Sequence, residues 1–255
     1  MDERALGYLR TLVYAAFLGV PVAFAAVLFQ TLLHEATHVV WEAVPDAFGW
    51  DEPAGWYVVL IPGFAGLLVA ASCRLPGGGG HSPLEGLSTG AVLPVEVPGI
   101  LLAALATLAF GLVLGPEAPL IALGLGLGAL AVRVVRVDET EGRLLVLAGA
   151  FSAIAALFGG PLIAAFLLFE LMAGSGRIPA ATMGRALLPG FVAAGTGALV
   201  FTGVDDWPGL TPTALALPGL PAYETVLVHA MQPNVRGFTA DLLGRPNMID
   251  VWIEG

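Results

Sequence analysis

The sequence predicts an all-α, polytopic membrane protein that contains broken or re-entrant helices. Of its 255 residues, 57% are hydrophobic and only 12% are charged, and the mean hydropathy is +0.87. A soluble domain carries about 25% charged residues, so this balance is typical of a chain that lies in a lipid bilayer. No alternation typical of lipid-facing strands appears, so the spans are predicted to be helical.

Five stretches without a charged residue are long enough to cross a membrane: 11–33, 54–72, 97–116, 144–169 and 186–204. About 18–20 apolar residues cross roughly 30 Å of hydrocarbon as a helix. A sixth stretch, 118–132, is shorter and is more typical of a broken or re-entrant segment. The first stretch is too long for a signal-peptide core and no small-residue cleavage pattern follows it, so it is predicted to be a retained helix.

The character of the chain changes after residue 203. Short Gly/Pro connections join the spans before that point, whereas the remainder is rich in turn-forming and polar residues without an apolar period. We therefore predict a membrane domain over 1–203, and a connection followed by a poorly ordered polar tail over 204–255. The composition favours a multi-pass protein of the cell membrane. The lone Cys73 excludes an intramolecular disulfide, no cofactor is predicted, and the absence of a basic patch argues against nucleic-acid binding.

The glycine-rich stretch 124–129 lies within an apolar segment. Its spacing passes for a dinucleotide-binding fingerprint, but no strand precedes it. We predict instead that Gly124 and Gly128 allow a second helix to pack closely, as pairs of small residues four positions apart do.

Glycine followed by proline recurs where new apolar segments begin. The three places are GGGGHSP (77–83), GPEAP (115–119) and FGGP (158–161). Proline is tolerated in the first turn of a helix, and a helix that begins inside a membrane points unpaired N–H groups and a positive dipole end into a low dielectric. Several such starts predict an anion site near the midplane. The alternative is that they are ordinary turns at the membrane surface.

Glu117 is the only charged side chain between residues 97 and 132. A carboxylate at membrane depth is costly unless it is paired, protonated or exposed to water. In the first turn of a helix, N–H groups and the dipole stabilise it. An entering anion would compete for the same place, so Glu117 is a candidate gate. The alternative is a simple helix cap at an interface.

The three motifs together resemble the CLC family of chloride channels and chloride/proton exchangers. GPEAP is similar to the family's Gly-x-Glu-Gly-Pro signature, and GGGGHSPLEGL takes the place of its Gly-Ser-Gly-Ile-Pro motif one segment earlier. The stretch 156–172 is similar to its Phe-Asn-Ala-Pro-Leu-Ala-Gly helix. The motifs occur in the family's order over about 20–205. The resemblance implies an all-helical anion pathway, usually in a dimer with one pathway per subunit.

Carried over by position, the resemblance makes Glu117 the gating glutamate and implies chloride as the ligand. The family's anion-binding positions correspond to Gly79, Gly80, Ser82, Gly115, Pro116 and Ala118. The helix starts and the matching acid of the third motif correspond to Pro83, Pro119, Pro161 and Glu170.

Three departures from the family's pattern change these expectations. Gly80 stands where the family has an anion-binding serine, unless Ser82 replaces that hydroxyl. Leu171 stands where the exchangers have a second acid of their proton path, which favours channel-like conduction over proton coupling. The chain corresponds to only the first of the family's two inverted repeats, so it resembles a truncated member. An inactive fragment is therefore an alternative.

A second alternative is an intramembrane zinc protease. His34, Glu35 and His38 have the His-Glu-x-x-His spacing that places two imidazoles on one helical face, with the glutamate as general base. No third ligand motif follows, and the histidines lie at the end of the first span beside interfacial tryptophans. We therefore predict that the chain is not an enzyme and holds no metal.

Overall fold

The computed structural model describes residues 3–50, 52–77, 92–112, 115–174 and 180–202, and four two-residue strands between 235 and 253. It falls into two compact units, Met1–Pro212 and Thr213–Gly255. The helices described in the first unit are α1 (Glu3–His38), α2 (Val44–Ala47), α3 (Gly55–Ser72), α4 (Val97–Leu108), α5 (Glu117–Val135), α6 (Glu139–Phe158), α7 (Pro161–Gly174) and α8 (Ala180–Thr202). A π-helical turn, Val39–Ala43, joins α1 to α2.

In the second unit, the described residues form two antiparallel ladders. β1 (Val235–Arg236) pairs with β4 (Trp252–Ile253), and β2 (Thr239–Ala240) pairs with β3 (Pro246–Asn247). The sequence analysis does not predict these strands, because the polar stretch has no period-two alternation. The division at 203/204 into a membrane domain and a poorly ordered tail stays a prediction.

Four of the described helices are long and apolar enough to cross a membrane, which confirms the prediction of a polytopic helical membrane protein. They are the continuous helix Leu6–Ala47, α3, α5 and α6. The helix Leu6–Ala47 has 42 residues, about twice the number needed to span the hydrocarbon.

Three predicted stretches differ from the helices. The stretch 97–116 is helical only to Leu108, because Gly111 turns with φ 87° and lies against the Trp41 ring. The stretch 144–169 is broken where Gly159 ends α6 with φ 67°. The stretch 118–132 is shorter than the helix that contains it: α5 has 19 residues, because it also includes Glu117 and Arg133, the charged residues that bound this stretch.

Close glycine contacts join α5 to α6, as predicted for Gly124 and Gly128. A Cβ at Gly124 would lie 2.6 Å from the Cα of Ala150, and a Cβ at Gly128 would lie 2.7 Å from the Cα of Val146. Gly149 faces Gly124 across the crossing. Because the numbering rises along one helix as it falls along the other, α5 and α6 are antiparallel.

Helix α6 occupies the centre of the first unit and packs against α1, α5, α7 and α8. Along α1, which runs parallel to α6, Arg10 pairs with Glu141 at 3.0 Å. Further along, the buried Ser152 donates to the carbonyl oxygen of Gly19 at 3.3 Å. From α8, Thr196 donates to the carbonyl oxygen of Ala16 at 2.8 Å. The bonds of Ser152 and Thr196 satisfy hydroxyl groups among apolar side chains, whereas the Arg10–Glu141 pair lies at an exposed end of the two helices.

Candidate functional site

The candidate site is the beginning of α5. Pro116 is the N-cap, and Glu117 is the first helical residue. The first intrahelical bond is donated by Leu120 N to Pro116 O at 3.1 Å. Since prolines occupy positions 116 and 119, the N–H groups left without a partner in the helix are those of Glu117 and Ala118. The helix therefore begins with two adjacent free donors and its positive dipole end.

The Glu117 carboxylate folds back over this helix start. A Cβ at Gly115 would lie 2.6 Å from the Cδ of Glu117, so the carboxylate occupies the space that a side chain at 115 would need. Among the described residues, Glu117 has neither an ion pair nor a hydrogen bond that satisfies its carboxylate. Glu117 is half-buried, whereas Gly115 and Ala118 are exposed and Pro119 is buried. The acid thus lies at its own helix terminus without a bonded partner among the described residues, and it is partly exposed.

The beginning of α5 lies level with the middle of the first charge-free stretch. The antiparallel register of α5 on α6 brings Ala118 level with Ala155. The parallel register of α1 on α6 brings Ala155 level with Val22, which is the central residue of 11–33. A helix start at this level is therefore far from both charged ends of that stretch.

Helix α7 begins at the same end of α6. Gly159 ends α6 in the left-handed conformation, Gly160 N donates to Ala155 O at 3.0 Å, and Pro161 opens α7. Two of the three predicted Gly/Pro helix starts, GPEAP and FGGP, are therefore brought to the same level of the unit. Both start where α6 ends, because α5 runs antiparallel to α6 and α7 follows it directly.

The remaining predicted site residues are not tested by this geometry. Gly79, Gly80, Ser82 and Pro83 lie outside the described residues. Glu170 lies within α7, but its side chain is outside the description. Their assignments stay predictions.

The histidines of the zinc alternative lie in the last turns of α1. His34 and His38 are exposed, and Nε2 of His38 lies 3.4 Å from Oε2 of Glu42. In the part of the chain that the structure describes, no group of three or more His, Cys, Asp or Glu side chains is arranged to hold a metal ion. The described geometry therefore gives no support to a zinc site here.

The sequence analysis missed Gln30. It is a buried side chain of α1, 7% exposed, and its amide nitrogen has no hydrogen-bond partner. The signal was present in the sequence, because Gln30 is the only amide side chain in 11–33. Because glutamine is uncharged, it does not interrupt a charge-free run, and the pattern of charges gives no prediction for it.

Comparison with known proteins gives one family. The model of the family described as "Voltage gated chloride channel" matches residues 89–231, which is more than half of the chain. Proteins named "Putative ion-transport protein YfeO" are similar: that of Salmonella newport is 30% identical over 192 residues, and that of Escherichia fergusonii is 28% identical over 189. Each alignment covers 72% of this chain and 44% of the relative, so the chain spans less than half the length of these relatives.

A solved structure has a similar fold. It is the crystal structure of "a slow cyanobacterial Cl-/H+ antiporter", with a TM-score of 0.58 and 21% sequence identity. The match covers 74% of this chain and 46% of that one. At this identity the likeness shows the fold.

Proposed function

Since the chain belongs to the voltage-gated chloride channel family, we propose that it forms part of a pathway for chloride or a similar anion across a membrane, with Glu117 as the gating carboxylate. The observation that carries this proposal is the carboxylate itself. It lies folded back against Gly115, at a helix start that has two free N–H groups and is level with the middle of an apolar span.

In the proposed gate, the Glu117 carboxylate and chloride compete for the same position at the start of α5. The N–H groups of Glu117 and Ala118 and the dipole of α5 stabilise one negative charge. While the carboxylate is ionised and folded back over Gly115, it fills that place. When it is protonated, its attraction to the donors falls, and chloride takes over the interaction. Gly115 and Pro116 keep the approach free of other side chains.

We propose passive, channel-like conduction rather than coupling to protons. The support is in α7, whose only acid is Glu170, followed by Leu171. A proton path through hydrocarbon needs a chain of ionisable groups. The solved structure of similar fold is named an antiporter, so chloride/proton exchange is the alternative to passive conduction.

The proposed setting is the cell membrane, where the chain is a multi-pass protein and assembles as a homodimer. Exposed hydrophobic side chains recur along α1 at spacings of three or four residues, from Leu6 to Leu32. A long exposed apolar surface of this kind is suited to lipid or to another helix. We propose a transport role and no enzymatic reaction.

The test is chloride efflux from liposomes that contain the purified chain. We expect wild-type efflux to rise as the pH falls, because protonation neutralises Glu117. Glu117→Gln imitates the protonated acid, so its efflux at neutral pH should be several times that of the wild type and independent of pH. Glu139→Gln is the matched control: Glu139 is the first residue of α6 but is exposed and paired with Arg143, so it should behave like the wild type.

Other outcomes point to the alternatives. If Glu117→Gln kept the wild-type pH dependence, the gating role would be wrong. Correctly inserted chain without efflux would favour an inactive fragment. Stoichiometric zinc that is lost in His34→Ala would favour the protease.

A further inference from the structure

Gln30 has a buried amide that the packing leaves unpaired. Its Nε2 is fully enclosed and has no acceptor, and the whole residue is only 7% exposed. The other buried polar side chains among the described residues are satisfied: Thr11, Ser72 and Ser152 each donate to a backbone carbonyl oxygen. An enclosed donor without an acceptor therefore distinguishes Gln30 within the described core.

An unpaired donor in this position lowers the stability of the fold. An N–H that leaves water without gaining an acceptor loses its hydration, and bulk water does not reach backbone or side chains inside hydrocarbon. Rotating the amide about its last bond would put the carbonyl oxygen in the same enclosed place, so one end is unpaired in either orientation. A buried polar group of this kind calls for a ligand or a function.

Gln30 lies between the candidate gate and the exposed end of α1. Along the axis of α1, Val22, Ala26, Gln30, His34 and His38 follow one another about one turn apart, and each step of four residues also rotates about 40° round the helix, because a turn has 3.6 residues. Val22 is level with the start of α5, Ala26 and Gln30 are buried, and the two histidines are exposed. Gln30 is two turns from Val22, about 12 Å along the axis.

We propose that the amide nitrogen of Gln30 is a ligand for a halide ion on its way between the exposed end of α1 and Glu117. This inference rests on the proposed function and adds a second anion site to it. A neutral donor suits the task, because conduction requires sites that bind an ion and release it again. No lysine or arginine occurs between Arg10 and Arg74, so no fixed positive charge on that part of the chain would trap the ion.

The test is thermal unfolding of the purified full chain in chloride and in gluconate at equal ionic strength. In gluconate, Gln30→Leu should unfold about 2–4 °C above the wild type, since leucine removes the unpaired donor. Chloride should raise the wild-type Tm, because it binds the folded state, and should raise that of Gln30→Leu by less than about half as much. The control is Thr31→Val, whose hydroxyl already donates to Val27 O at 3.0 Å. Its chloride-dependent rise should equal that of the wild type.

Three results would overturn the inference. A lower Tm for Gln30→Leu in both salts would mean that the amide has a partner. A full chloride-dependent rise in Gln30→Leu would mean that chloride stabilises the chain at another site and that the Gln30 amide is not its ligand. No chloride-dependent rise in the wild type would remove the site altogether. The proposed function is judged separately, by the efflux of Glu117→Gln.

Discussion

At the scale of single residues, the candidate site depends on a missing side chain. Gly115 has no positive φ, so backbone strain does not demand glycine there. The absence of a Cβ at this position leaves the space that the Glu117 carboxylate occupies, and an added Cβ would displace this flexible side chain rather than the backbone. The acid and the glycine two positions before it are therefore one structural unit.

Gly115→Ala should open the gate in the same direction as Glu117→Gln. The added methyl group would displace the carboxylate from the helix start, so liposome efflux at neutral pH should rise severalfold while the acid remains in the chain. Gly160→Ala is the control, since Gly160 also precedes a helix start but a Cβ there would meet nothing within 4 Å. Efflux of Gly115→Ala equal to that of the wild type would mean that the folded-back carboxylate is not the closed gate.

At the scale of secondary-structure elements, the α5–α6 crossing sets the depth of the site. The backbones meet at Gly124 and Gly149, and this contact fixes the register that brings the start of α5 level with the middle of α1. The left-handed Gly159 then ends α6 and lets α7 begin at the same level. Small residues at the crossing are what allow the two helix starts to share one layer.

Gly124→Ala should destabilise this crossing. A Cβ at Gly124 would meet the backbone of Gly149 and Ala150, and overpacking of a close contact costs about 1–3 kcal/mol. Gly63→Ala in α3 is the matched control, because a Cβ at Gly63 would meet nothing within 4 Å and alanine favours a helix interior by about 1 kcal/mol over glycine. Thermal unfolding should show a lower Tm for Gly124→Ala only. Equal Tm values for the two variants would contradict the close packing.

At the scale of the whole molecule, the chain has the fold and the family of a chloride channel but spans less than half the length of the relatives it matches. In the described part of its first unit, two helix starts lie level with the middle of the stretch 11–33, and Glu117 is at one of them. The described surface is strongly apolar along α1.

Passive conduction predicts that chloride movement carries no protons. In liposomes with an outward chloride gradient and a pH-sensitive dye inside, efflux through the chain should leave the internal pH unchanged once the membrane potential is clamped with potassium and valinomycin. In Glu117→Gln, the internal pH should also stay unchanged, while the chloride efflux should be higher than that of the wild type. Proton movement that is driven by the chloride gradient and abolished in Glu117→Gln would instead indicate exchange.

The sequence by itself determined the class of protein and most of the helices. Long apolar runs indicate that the chain lies in a bilayer, because few charged residues are tolerated there and the backbone must form its hydrogen bonds within the protein. Glycine and proline marked the helix starts at 117 and 161, since these residues act locally on φ and on the first turn. The isolated Glu117 was visible for the same reason: one charge stands out in an uncharged stretch.

Only the tertiary structure decided which of these features meet. The level at which α5 begins follows from the glycine contacts between α5 and α6. The register of these two helices cannot be read from the residues next to each other in the sequence. The unpaired amide of Gln30 also depends on packing, because a glutamine in an apolar run is ordinary until all its neighbours are known. Helix starts and isolated charges depend on residues that are neighbours in the sequence. The level of a helix start, the burial of a side chain and the pairing of its polar atoms depend on contacts between residues far apart in the chain.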